Sequence, residues 1–413
     1  MKHFDVPDFY RSPIIASVKE ARRALDPRKK DLSPSILDFG PVRFKLARHF
    51  GFCYGVENAI DIVYRALEEN PGHRIFLLSE IIHNPHVNDD LLSRGVRFIR
   101  TSNGEQLIDY DELDSDDLVI VPAFGTSLEV QAELKSRGID PYTYDTTCPF
   151  VEKVWNKSRQ IGRQNYTVVI HGKRFHEETT ATFSHARVDA PVVVVRGQAE
   201  ARELAALIRG ERTRDQFFAR FEKHSSDGFD PVRDLARVGV VNQTTMLATE
   251  TREIVSILRQ AMIDRYGFAN LGEHFADTSD TLCYATNENQ SATRALIADG
   301  GDIAVIVGGY NSSNTGHLVE LCAEAMPTYF INGPRSITSR DEIEHFDVRT
   351  GTVKTTRGWI PAHDGRPIEI LLTAGASCPD ALLDKVVRRL IGWFPEARSI
   401  DQAVAPFIET HDV

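Results

Sequence analysis

Short, almost continuously apolar runs recur along the chain, and each stops at Gly, Pro, Asn, Ser or Thr: RIFLLSEII, DLVIVPAFGTS, YTVVIHG, RVGVVNQTTM, DIAVIVGGY and PIEILLTAGASCP. Runs of this length without alternation predict buried strands of a parallel sheet. Stretches with helical spacing lie between and after them, HLVELCAEAM and DALLDKVVRRLIGWF among them. Strand and helix in alternation predict an α/β fold, in which ligands gather beyond the carboxyl ends of the strands.

The alternation is itself repeated. Cys53 in RFKLARHFGFCYGVENAIDIVYRAL, Cys148 in PYTYDTTCPFVEKVWNKSRQIG and Cys283 in HFADTSDTLCYATNENQSATRALIADG each stand where a strand-like run gives way to a helix. Cys53 is followed after 30 residues by His83, Cys148 after 28 by His176 and Cys283 after 30 by Ser313, each in a polar loop between strand and helix. Each unit reads cysteine, helix, strand, polar loop, helix, and its third strand runs into small polar residues. Three similar α/β lobes with parallel-type sheets, in a pseudo-threefold arrangement around a central group, are predicted. The units expected are 43–147, 148–282 and 283–394, with an N-terminal extension, 1–42, and a C-terminal tail, 395–413. Charge-rich segments near 205–237 and 333–366 interrupt the second and third units and are expected to decorate the surface.

A chain of 413 residues exceeds what one core usually serves. Its net charge of −11 argues against a nucleic-acid partner. No apolar run approaches the ~20 residues of a membrane helix. The first 42 residues show no apolar signal-peptide stretch, and five cysteines without close pairs suit a reducing compartment. A cytoplasmic location is therefore expected.

A helix N-terminus favours a thiolate, the form that binds metal. Three such thiolates, one from each unit, would hold an iron-sulfur cluster with one iron left open, whereas zinc would ask for a fourth protein ligand and short spacings. Gly51 and Gly55 flank Cys53 and would let the backbone approach a bulky group. Cys322, inside HLVELCAEAM, reads as an ordinary buried residue, and Cys378 has no cysteine counterparts in the other units. The loop GGYNSSNTGH offers Ser312, Ser313 and Asn314 at a helix start. Alone these would read as caps; with Ser377 and two histidines they form a convergent anion site, rich in directed hydrogen bonds and poor in Lys and Arg. HGKRFHEETTAT carries the candidate acid: one of Glu177 and Glu178 complements the helix dipole, and the other, beside a cluster and a diphosphate, would be tuned upward by those negative neighbours. Thr244 and Thr245 suit a proton relay, and equally a strand end followed by a cap.

Taken in order, GFCYGVENAI, EIIHNPHVND, TTCPFVEKV, HGKRFHEETTAT, NQTTM, LCYATNENQSA, NSSNTGHL and TAGASCPD resemble the motifs of the LytB (IspH) family of 4-hydroxy-3-methylbut-2-enyl diphosphate reductases, over roughly residues 43 to 390. The resemblance implies that Cys53, Cys148 and Cys283 ligate a 4Fe-4S cluster with one iron not held by protein. It implies that His83, His176, Ser312, Ser313, Asn314 and Ser377 bind a diphosphate. Glu178 would deliver protons and Thr244 would position water and the substrate hydroxyl. The implied reaction is reductive dehydroxylation of an allylic diphosphate to isopentenyl and dimethylallyl diphosphates. A ferredoxin- or flavodoxin-type electron donor is implied too, since no G-x-G-x-x-G motif opens a βαβ unit; no nucleic acid or membrane partner is. One loop departs from many shorter bacterial members, which carry a histidine where PAFGTS places Phe124; the chain resembles the longer subgroup of plastids and cyanobacteria, which also has an N-terminal extension and the HGK…HEE form. Phe124 cannot donate to phosphate, so Thr126 or Ser127 would replace the contact. The alternative is a redox-neutral iron-sulfur hydro-lyase acting on a small anionic substrate without an electron donor.

Overall fold

The computed structural model describes residues 5–276, 278, 281–362 and 365–408. Residues 1–4 of the extension, 277, 279 and 280 of the second unit, 363–364 of the second charge-rich segment and 409–413 of the tail lie outside the described residues. The chain divides into two compact units, one of Met1–Glu57, His83–Asp89 and Tyr284–Val413, the other of Asn58–Ile82 and Asp90–Cys283.

The first unit is built on a five-stranded sheet in the order Ser35–Asp38, Val42–Leu46, Ile368–Ala374, Ile303–Val307, Thr328–Ile331. The first pair is an antiparallel hairpin, turned at Gly40 with φ +90°. The other pairings are parallel, with Ile370 opposite both Phe44 and Ile303. The strand Ile303–Val307 is buried at every position, as its unbroken apolar run requires. Three parallel strands therefore release their chains at one edge, into Ala47–Cys53, Gly308–Ser312 and Gly375–Pro379.

The extension is part of this core. Ser12 Oγ accepts the Ile15 N–H at 3.3 Å and Pro13 occupies the first turn, so the helix Pro13–Leu25 starts with a capped end. Ile14, Ile15, Val18 and Ala21 bury one of its faces. Part of the tail is core as well: Ala403 and Val404 of the helix Ile400–Ile408 are buried in the same cluster. In the second charge-rich segment the hairpin of Glu342–Asp347 and Thr352–Arg357 leaves Val353 exposed, while Ile337, Ile343 and Trp359 are buried.

The second unit carries two three-stranded parallel sheets. One runs Arg97–Phe98, Ile75–Leu77, Leu118–Ile120, and the other Val192–Val195, Thr167–His171, Val238–Asn242. The α/β class with parallel-type sheets is thus the class the chain adopts. The segment near 205–237 differs from its expected surface role. Phe217, Phe221, Phe229 and Leu235 are fully or almost fully buried beneath Val193 and Val240, and Phe217 stacks on Phe229 at 4.9 Å. Phe217 and Phe221 stand four apart on the helix Arg214–Phe221, an apolar stripe that the surrounding charges obscure in the sequence.

Truncating Phe217 to Ala should remove about 3–5 kcal/mol of stability, as for other buried aromatic residues, whereas Val353→Ala on the exposed hairpin should change it by no more than about 0.5 kcal/mol. Denaturant unfolding of the two variants measures the difference, and equal losses would return the segment to the surface.

Candidate functional site

In the first unit, Cys53 directly precedes the helix Tyr54–Glu69, and its N–H donates to the Ala376 carbonyl at 3.2 Å. This ties the cysteine loop to the loop of Ser377. The space beside Gly51 is filled by the side chains of Lys19 and Asp380, so no bulky group can approach there, contrary to the expectation. Ser377 Oγ donates to the His83 carbonyl at 3.2 Å, and the Asn311 amide nitrogen lies 3.3 Å from His83 Nδ1. With its proton on the His83 carbonyl, Ser377 offers an anion only lone pairs unless the hydroxyl turns.

Ser312 caps the helix Ser313–Ala323, accepting from Thr315 N–H at 3.2 Å and Thr315 Oγ1 at 3.0 Å, which leaves its own hydroxyl proton for another acceptor. Asn314 Oδ1 accepts the Ala376 N–H at 2.9 Å and faces Asn289 Nδ2 at 3.4 Å. His83, Ser312, Ser313, Asn314 and Ser377 are all buried. Asn289, Asn311 and Thr315 complete this cluster although the motifs did not single them out. Their signal in the sequence is that Asn311 and Thr315 lie inside NSSNTGHL and Asn289 inside LCYATNENQSA.

In the second unit, Cys148 is the N-cap of the helix Pro149–Arg163, and Cys283 donates its N–H to the Thr244 carbonyl at 3.2 Å. Glu178 is held on both oxygens, by Thr244 N–H at 2.5 Å and Thr244 Oγ1 at 2.9 Å. Burial lifts its carboxyl to about 7, against these two hydrogen bonds, which pull it down. In the chain by itself, removal from water is the cause of this rise. Glu177, one residue earlier, lies 3.9 Å from Arg100.

His176 caps the helix Glu177–Ala186: its Nδ1 accepts the Glu178 N–H at 3.2 Å, so the neutral ring carries its proton on Nε2. Phe124 meets the His176 ring edge-on at 5.6 Å and thereby fixes its plane. Of the two residues expected to replace the lost contact, Ser127 Oγ caps the helix Leu128–Ser136, accepting from Val130 N–H at 3.3 Å. Thr126 Oγ1 is buried without a hydrogen-bond partner.

Burial also decides the thiols. It pushes Cys148 up to about 12, with the Phe150 N–H opposing and Cys283 and Glu178 adding to the rise. The favourable helix terminus does not by itself make this thiol a thiolate; a bound metal would have to displace the proton. Cys53, Cys148 and Cys283 are half-buried and outside any disulfide, whereas Cys322 and Cys378 are fully buried. Among the described residues no three His, Cys, Asp or Glu side chains gather as they would around a single metal ion. Each of the three is a half-buried thiol at a helix start, a soft donor of the kind an iron-sulfur group takes from cysteines that bind separate irons. Among the described residues no helix is long and apolar enough to cross a membrane.

Parallel α/β sheets whose strand ends carry cysteines, hydroxyls and a neutral carboxyl define a ligand-binding α/β protein of enzymatic type. The LytB protein family model matches residues 44–391, and the chain belongs to that family. It is 41% identical over 355 residues to a 4-hydroxy-3-methylbut-2-enyl diphosphate reductase of a Synechococcus species, covering 86% of each chain. The protein of the same name from Gloeobacter violaceus is 40% identical over 354 residues, covering 85% of this chain and 83% of its own. A solved structure of (E)-4-hydroxy-3-methyl-but-2-enyl diphosphate reductase, the terminal enzyme of the non-mevalonate pathway, superposes with TM-score 0.51 at 26% identity, over 84% of this chain and 98% of that one. The reductase structure from Plasmodium falciparum gives TM-score 0.60 at 19% identity, over 90% and 99%, a likeness of fold.

The raised Glu178 carboxyl has a sign that stability measurements can read. The folded chain holds this proton more tightly than the unfolded one, so its contribution is full below the ordinary value of 4.5 and is lost as pH rises towards about 7. The loss amounts to about 3 kcal/mol once both states are ionised. Glu178→Gln should remove this decline, and unfolding free energies of the two proteins that fall in parallel from pH 5 to 8 would contradict it.

Proposed function

We propose that the chain catalyses the reductive dehydroxylation of (E)-4-hydroxy-3-methylbut-2-enyl diphosphate to isopentenyl and dimethylallyl diphosphates, the last step of the methylerythritol phosphate route to isoprenoids. Two electrons and two protons enter, the allylic C–O bond breaks, water leaves, and a C–H bond forms at one or the other end of the allylic system. The observation that carries this reading is Glu178, a buried carboxyl near neutrality clamped by Thr244, whose carbonyl holds Cys283.

Cys53, Cys148 and Cys283 would hold a 4Fe-4S cluster with one iron free of protein. When bound, the cluster supplies electrons singly together with a Lewis-acidic iron. The chain's own residues do the rest. His176 presents Nε2–H, and Ser312 a hydroxyl proton, to the diphosphate oxygens. By the family resemblance His83, Ser313, Asn314 and, once its hydroxyl turns from the His83 carbonyl, Ser377 would join them, so that directed hydrogen bonds hold the phosphate. Glu178, close to half-protonated at neutral pH, gives its proton to the departing hydroxyl oxygen, and the Thr244 hydroxyl orients that oxygen. An external one-electron carrier of ferredoxin or flavodoxin type delivers the electrons.

Under anaerobic conditions Cys53→Ser, Cys148→Ser and Cys283→Ser should each lose most of the bound iron, whereas Cys322→Ser should retain it. Glu178→Gln should keep its iron and substrate affinity while turnover with a chemical reductant falls at least ~100-fold, the scale of a lost general acid. Iron analysis and single-turnover product assays measure both. Full iron content after loss of Cys283, or turnover without any reductant, would overturn the assignment.

A further inference from the structure

The loop that presents Cys53 is gripped from the N-terminal extension, residue by residue. Lys19, on the helix Pro13–Leu25, donates from Nζ to both oxygens of Asp380, at 2.7 and 2.9 Å. The same Nζ sits 4.5 Å from the centre of the Phe50 ring. Gly51 follows, with φ +82°, a conformation that disfavours any side chain. A Cβ there would run into Asp380 Oδ1 and stand 2.9 Å from Lys19 Nζ, so the ion pair is seated directly on the Gly51 backbone. Phe52 is met edge-on by Tyr10 of the extension at 5.9 Å, and Tyr10 is itself buried. Phe50, Gly51 and Phe52 are thus each touched before the chain reaches Cys53.

The other end of the pair matters equally. Asp380 opens the helix Asp380–Ile391, three residues beyond Ser377, and the Cys53 N–H is bonded to the Ala376 carbonyl of that loop. One cation therefore holds a cysteine loop and a substrate loop in register. Side chains of long reach are ordered only at an entropic cost, and the half-buried geometry of this pair, with 26% and 21% of the two side chains exposed, keeps it less screened than a surface pair.

We propose that Lys19, acting through Asp380, is a positioning residue for Cys53: the extension exists in part to fix the cysteine loop for its metal. This rests on the reading of Cys53 as a cluster ligand. A tie that merely adds stability would protect all parts of the unit alike. A positioning tie restrains Cys53 selectively.

The test uses the full-length chain, and the variants Lys19→Met and Asp380→Asn, with Lys19→Arg as the conservative control. Iron is removed, and alkylation of each cysteine by iodoacetamide is followed by mass spectrometry; in parallel, the iron-loaded proteins are challenged anaerobically with a ferrous chelator. Cys53 should be alkylated about tenfold faster in Lys19→Met and Asp380→Asn, the change in local opening expected when one charge-assisted hydrogen-bonded pair is lost. Cys148 and Cys322 should keep their wild-type rates, Lys19→Arg should stay near wild type, and iron should leave the first two variants faster. Cys53 reacting at the wild-type rate in both variants, or an acceleration shared by Cys148 and Cys322, would overturn the proposal. A wild-type chain that binds no iron would instead count against the proposed function, and the alkylation rates would still judge the tie.

Discussion

Parallel pairing of strands that are apolar on both faces is the constraint on which the rest depends. Such strands are mostly apolar along their length, with exceptions such as Lys45, which is paired with Glu369 and Asp299, so most hydroxyls, amides, thiols and carboxyls fall where the strands end. In the sheet of Val42–Leu46, Ile303–Val307 and Ile368–Ala374, pairing in one direction puts those ends at one edge. The loops of Cys53, Ser312 and Ser377 leave from it. In the second unit the ends of Thr167–His171 and Val238–Asn242 do the same for His176 and Thr244.

Within those loops, the competition between burial and local stabilisation decides chemistry. Cys148 has the helix N-terminus expected to favour a thiolate, yet removal from water outweighs it. Glu178 accepts two hydrogen bonds that favour its charged form, and burial outweighs those as well. Cys148 is therefore kept protonated while unliganded, and Glu178 holds its proton far closer to neutrality than an ordinary carboxyl does.

Much of this was legible in the sequence because the repeat placed cysteine, helix and polar loop in the same order three times. The strands and the helix starts at Cys53, Cys148 and Cys283 came from pattern, whereas Glu178 was set apart from Glu177 only by the family resemblance. What the sequence hid was tertiary. Phe217 and Phe221 sit among so many charges that composition pointed to the surface, although their four-residue spacing carries a core stripe. The occupant of the space beside Gly51 could not be read, because it comes from Lys19 and Asp380, one far before and one far after it in the chain. Ser127 was expected only as a replacement donor, and that its oxygen caps its own helix was not read either.

The capping bond of His176 has a consequence for how this residue is interrogated. The imidazole closes the start of the helix Glu177–Ala186 through Nδ1 and keeps its proton on Nε2, so alanine at this position deletes two things together. It loosens the turn that carries Glu178 and it removes the ring. Asparagine, whose carbonyl oxygen can accept the same backbone proton, would keep the turn wound and withdraw only the imidazole. The seat of the imidazole and the turn that carries Glu178 are thus coupled through a single nitrogen lone pair, and only a capping substitute pulls the two apart.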